Sequence, residues 1–155
     1  MACPYFLPTQ RSGELLWPHP ARLPLGDAWL GQCTAVSPVV APTPEQLKDN
    51  CNLGYARNCP RLPQDRAYDA VRFCITSDRQ DVVTLLWVCE TGYRPAAHGS
   101  LTYSLKESAW LVRQDDARVQ RMAECYLESY LNRRCSLDNT TEAVPETVLQ
   151  GEPVS

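Results

Sequence analysis

AVRFCITSDRQDVVTLLWVCE, residues 70–90, is the stretch that decides the fold class. In AVRFCIT the residues Val71, Phe73 and Ile75 share one face, the two-residue period of a half-buried strand. VVTLLWVCE is rich in β-branched and aromatic residues, and SDRQD between the two runs carries turn chemistry. Together they read as a hairpin. Downstream, GYRPAAHGS (92–100) reads as a loop, and SLTYSLKESAWLV (100–112) as a second hairpin turning near Lys106–Ser108. Asp115 or Asp116 can cap a helix running to about Arg134, along which Val119, Met122, Tyr126 and Tyr130 recur at helical spacing. Arg133 and Arg134 at its end suit the macrodipole. The expected architecture is α+β, an antiparallel meander of about four strands packed on a C-terminal amphipathic helix. Phe73, Ile75, Leu85, Trp87, Trp110, Val119, Met122 and Tyr126 form the expected core.

Upstream the chain changes character. Residues 1–64 hold ten of the 13 prolines and four of the eight cysteines. Proline fixes φ and removes a backbone donor, so this half is expected to be irregular. It carries one short helix: Thr43 as N-cap, Pro44 at the first helical position, Gln46 closing a capping box, and Gly54 as the left-handed residue at its end. The expected organisation is a single domain over 1–135. Its parts are a Cys/Pro-rich segment (1–64) and the sheet with its helix (69–135). A disordered acidic tail over 136–155 follows.

With 155 residues and 44% of them hydrophobic, one domain with a sizeable core is the natural reading. No apolar run approaches the ~20 residues that span a bilayer. The N-terminal MACPYFLPTQRSGELLWPHP lacks the charged start and apolar stretch of a secretory leader, so a cytoplasmic protein is expected. The formal net charge of −3 sits in the tail, where Asp138, Glu142, Glu146 and Glu152 face no basic residue. The rest is nearly balanced and shows no basic stripe, which argues against a nucleic-acid partner.

The eight cysteines divide by context. Cys74, Cys89 and Cys125 lie in apolar strands or on the amphipathic helix and read as small buried hydrophobes; Cys135 reads as incidental. Cys3, Cys33, Cys51 and Cys59 all fall in the proline-rich half, where no strand or helix face is expected to bury them. Cys3 and Cys59 each precede a proline, a pairing also found at the last ligand of bacterial ferredoxin-type clusters. Ordering an irregular segment costs about 1–2 kcal/mol per residue, and a metal held by four thiolates can offset much of that. Three readings stand: one four-cysteine metal site, unlinked structural thiols, or disulfides and redox thiols, the last being rare in the cytosol. Structural zinc usually shows close Cys-x₂₋₄-Cys pairs, whereas here 29, 17 and 7 residues separate the four. That spacing favours a 4Fe–4S cluster, with zinc as the alternative cofactor.

The strings ACPYFLPT (2–9), WPHPARLPLGDAW (17–29), CNLGYARNCPRLP (51–63), DAVRF (69–73) and RVQRMAECYLESYL (118–131) resemble those of a family of small cysteine-containing soluble bacterial proteins. The resemblance covers most of residues 1–134. It implies a recurring bacterial protein and brings no activity, cofactor or partner with it.

Three classes of function follow from the residues. The first is a cluster-bearing accessory or electron-transfer protein. The second is a non-enzymatic interaction subunit without redox activity, metal-free or with zinc stapling a proline-rich surface, with Tyr5, Trp17 and Trp29 exposed toward a protein partner. The third is a thiol enzyme using His19 or His98 as base. No Gly-rich phosphate loop, zincin helix or nucleophile elbow is present, and no small-molecule substrate is indicated. The reading leans away from catalysis.

Overall fold

The computed structural model describes residues 1–19, 22–55 and 58–141. Its N-terminal half is more regular than the proline content implies. Strands β1 (Phe6–Arg11) and β2 (Trp29–Cys33) pair antiparallel. Pro8 is tolerated because the register shifts between Pro8 and Gln10, a bulge at which a missing N–H interrupts little. Opposite Pro8 stands Gly31, where a Cβ would meet Phe6 Cε2 at 2.6 Å and the Leu7 carbonyl oxygen.

The expected capping box is present. Thr43 Oγ1 accepts from the Gln46 N–H at 3.3 Å, and Gln46 Oε1 accepts from the Thr43 N–H at 3.0 Å. The short helix α1 (Pro44–Gln46) runs on as a wider π-helical stretch, Leu47–Cys51. Gly54, at φ +66°, follows it in the left-handed region, with its N–H on Asn50 O at 2.9 Å.

The main sheet is the expected meander. Strands β3 (Ala70–Arg79), β4 (Val82–Thr91), β5 (Arg94–Ser104) and β6 (Ala109–Val112) lie in sequence order, each antiparallel to the next. Two corrections concern its turns. SDRQD is mostly strand, and only Gln80 and Asp81, both at positive φ, make the turn. GYRPAAHGS is not a loop: Gly92 and Tyr93, again both at positive φ, form a two-residue turn, and the rest belongs to β5. Pro95 pairs with Glu90 beside a register shift, so its missing donor falls at a bulge. Gly99 keeps β5 close to the Trp87 ring, whose Nε1 a Cβ would approach to 2.9 Å.

Helix α2 (Ala117–Thr141) is capped by Asp116, whose Oδ1 accepts from the Arg118 N–H at 2.8 Å. It extends past the expected end at Arg134. Asp78 on β3 holds that end, accepting from Tyr130 Oη at 2.7 Å and Arg134 Nη1 at 3.0 Å, and no proline or glycine follows before Thr141. Residues 136–141 are therefore helix rather than tail. The expected disorder of 142–155 lies outside the described residues.

All eight expected core residues join one apolar cluster. The N-terminal half adds Phe6, Leu25 and Trp29 to it, each about 1% exposed. Trp29 is thus core and not the exposed partner-facing aromatic the sequence suggests. Tyr5 is half-buried with the Arg118 guanidinium 5.3 Å from its ring centroid, and Trp17 is half-buried too. Cys89 and Cys125 are buried as expected, whereas Cys74 is exposed because it points away from Phe73 and Ile75. Ala2 and Val71 exchange backbone hydrogen bonds of 2.7 and 2.9 Å, and Arg121 reaches the Pro8 carbonyl at 3.0 Å. These contacts join the N-terminal half to the sheet and helix. Among the described residues no helix is long and apolar enough to cross a membrane.

Candidate metal centre

Cys3, Cys33, Cys51 and Cys59 come from four separate pieces of chain, and all four line one cavity, with Phe6 and Leu62 among its walls. Cys3 sits in the turn before β1, where its carbonyl accepts from the Phe6 N–H at 3.1 Å and its own N–H donates to Cys51 O at 3.1 Å. Cys33 ends β2 opposite Phe6 and exchanges backbone bonds with Val40. Cys51 closes the π-helical stretch. Cys59 stands in a turn of its own, its carbonyl accepting from the Leu62 N–H at 3.1 Å.

One buried side chain fixes this arrangement. Asn52 Oδ1 accepts from the Trp29 N–H, and its Nδ2 donates to Trp29 O and Leu47 O, each at 3.0 Å. The Ser12 N–H bonds Ala28 O on the other edge of β2, which turns the Trp29 amide groups outward. Asn52 satisfies them as a third strand would. It thereby ties β2, which carries Cys33, to the segment that carries Cys51.

Burial, with Cys33 and Cys59 adding to it, pushes the Cys3 thiol up to about 11. Burial likewise pushes Cys51 up to about 12, helped by Cys3, Cys33 and Cys59. Cys3 and Cys51 are therefore protonated at neutral pH and are not poised nucleophiles. Cys3 and Cys51, each held protonated by burial and by neighbouring thiols, suit a cation that would replace their protons. A neighbouring positive charge fits the same picture. Arg61 lowers Cys51, and its Nη1 is buried with no hydrogen-bond partner among the described residues. Four thiols beside a guanidinium are residue types that a thiolate-bound metal takes.

Among the described residues no three His, Cys, Asp or Glu side chains are disposed as ligands of a single metal ion. The thiols instead border a shared space of about 10 Å³. Cys59 also borders a larger cavity of about 600 Å³, lined by Tyr55, Gln64, Arg66 and Asp69.

Beside that cavity stands a second cluster absent from the sequence reading. Tyr55 and Tyr93, both non-glycine residues at positive φ, stack with ring centroids 4.2 Å apart. Tyr55 Oη donates to the buried Glu90 at 2.8 Å and accepts from the Tyr93 N–H at 3.0 Å, while Arg72 Nε pairs with Glu90 at 2.9 Å. Burial and then the Glu90 carboxylate push Tyr55 up to about 12. The one available signal was Glu90 itself, an acid ending an apolar strand. His19 and His98 are both exposed, and neither lines the four-cysteine cavity.

No family model, curated protein or solved structure matches the chain. What the fold and site define is an α+β protein with four converging thiols, and its function is argued from those residues.

Proposed function

We propose that this chain is a metal-binding protein holding one 4Fe–4S cluster through Cys3, Cys33, Cys51 and Cys59, and serving electron transfer or as an accessory subunit. The observation that carries the reading is convergence: four cysteines separated by 29, 17 and 7 residues line one cavity. The lack of a close cysteine pair favours a cluster over zinc. Such a cluster, when bound, supplies one-electron redox chemistry. The chain's own residues position the thiols, exclude water with Phe6 and Leu62, and place Arg61 near the ligands. Four cysteines close the coordination shell, which suits electron transfer or structure better than substrate turnover. All eight cysteines are free thiols, and a reducing compartment such as the cytoplasm suits them. A protein partner belongs to this reading, as donor, acceptor or host assembly.

A second reading rests on the size of the cavity. About 10 Å³ is room for about one water molecule and suits a single zinc ion stapling an interaction subunit. Metal and sulfide analysis of anaerobically purified protein decides between the two. Iron and acid-labile sulfide in near-equal amounts, with broad absorbance near 400 nm, is the expected result. Stoichiometric zinc replaces the cluster with the staple, and a folded, metal-free protein overturns both.

A further inference from the structure

Cys3 and Cys51 are joined through their backbones: the Cys3 N–H donates to Cys51 O at 3.1 Å. A bond of that length holds the two Cα atoms about 5–6 Å apart, as in a hydrogen-bonded strand pair. A disulfide spans about 4.4–6.8 Å between Cα atoms, so this pair can close without moving the chain. Both residues also line the same space of about 10 Å³. Among the described residues no other two cysteines are joined by a backbone hydrogen bond. Cys59 has a different place. It is half-buried, and it borders both the shared space and the cavity of about 600 Å³, which Cys3, Cys33 and Cys51 do not line. Tyr55, Leu62 and Gln64 give that outer cavity the mixed apolar and polar wall that a small molecule takes.

We infer that Cys3 and Cys51 close an intramolecular disulfide by exchange with a small disulfide, RSSR, that enters at Cys59. The inference does not rest on a bound metal; a metal and the disulfide compete for the same sulfurs. In the first step the Cys59 sulfur bonds to one sulfur of RSSR, and RSH leaves with the Cys59 proton. A buried thiol, Cys3 or Cys51, then attacks the Cys59 sulfur and expels the second RSH with its own proton. The other buried thiol attacks the sulfur of the first, closes the Cys3–Cys51 bond and returns a proton to Cys59. The sum is one RSSR reduced to two RSH and two protein thiols oxidised to one disulfide. Buried thiols are slow attackers, and their confinement in one cavity with Cys59 makes the later steps intramolecular.

The test uses the full chain, reduced and stripped of metal with a chelator, and bis(2-hydroxyethyl) disulfide as the probe. After alkylation of the remaining thiols, peptide mass spectrometry should show a Cys3–Cys51 link as the main product. A main link between any other two cysteines overturns the inference. So does a product that stops with the probe's thiol on Cys59, or one with no link at all. Each of these leaves the metal reading standing, because that reading is decided by metal content. Cys59→Ala should slow closure at least about tenfold, since the probe must then reach a buried thiol directly, while the linked pair stays the same. Cys59→Ser takes its place where the alanine variant fails to fold. An unchanged rate in the folded variant refutes entry at Cys59.

Discussion

Replacing Asn52 by alanine tests whether one side chain holds the cysteine-bearing half together. Asn52 is 1% exposed and makes three hydrogen bonds at 3.0 Å. Its loss strands the N–H and C=O of Trp29 in the core, whereas Leu47 O keeps the Asn52 backbone N–H at 3.2 Å. Two stranded buried groups at about 1–3 kcal/mol each give a loss of about 2–6 kcal/mol. That is a large share of the ~5–15 kcal/mol that holds a typical domain folded. With a urea m-value of about 2 kcal/mol/M, a loss of about 4 kcal/mol lowers the unfolding midpoint by about 2 M. Chemical denaturation followed by tryptophan fluorescence reads this directly, because Trp29 sits at the break. Metal content should fall with stability, since Cys33 and Cys51 lose their common tether. A midpoint within about 0.5 M of wild type would show that the strand-like bonding of Asn52 carries little weight, and the reasoning would fail.

The cysteines should separate into two sets: Cys51→Ser and Cys59→Ser abolish metal binding, whereas Cys125→Ser retains the metal at a modest stability cost and exposed Cys74→Ser changes neither. Equal metal loss in both sets on elemental analysis would redraw the ligand boundary. After chelation, thermal stability should fall as pH rises. The unfolded thiols titrate near ~8.5, while folded Cys3 and Cys89 hold their protons to about 11 and Cys51 and Cys125 to about 12. Their contribution is intact below the unfolded value and lost across that alkaline window; a flat melting temperature from pH 8 to 11 would contradict it. Gly31→Ala should weaken the β1–β2 ribbon by about 1–3 kcal/mol, since its Cβ meets Phe6 and the Leu7 carbonyl, and an unchanged urea midpoint would show that the ribbon yields freely. Tyr55→Phe leaves the buried Glu90 with its Arg72 pairing alone and should cost about 1.5–3 kcal/mol; differential scanning calorimetry would expose a smaller effect.

The parts read correctly from sequence are those in which neighbouring residues speak for themselves. Alternation in residues 71–75, the Thr43–Gln46 box, Gly54 and the cap at Asp116 are local signals, and each appears where expected. Two misreadings, the irregular N-terminal half and the loop over 92–100, share a cause: proline was weighed as a breaker without knowing where bulges fall. Pro8 and Pro95 both sit at register shifts, a property of the partner strand that no local window contains. The four cysteines that line one cavity share in sequence only their place in the proline-rich half. Asn52 and Glu90 were not legible, because each draws its role from elements distant in sequence. Trp29 was misassigned for the same reason, its burial depending on the far strand and helix that cover it.

The bridge between Ala2 and Val71 gives the chain an order of assembly. During synthesis all four thiols are made before β3 exists. The β1–β2 ribbon and the π-helical stretch can gather Cys33 and Cys51 early, since their contacts are comparatively local. Cys3 has its own bonds to Phe6 and Cys51, but Ala2 beside it has to wait for β3, and that strand gains its own partner only when β4 is complete. Closing so wide a loop costs little extra free energy, growing only as the logarithm of its length, but it comes late. The last anchor of the N-terminal half is therefore set only after the sheet it joins has been made.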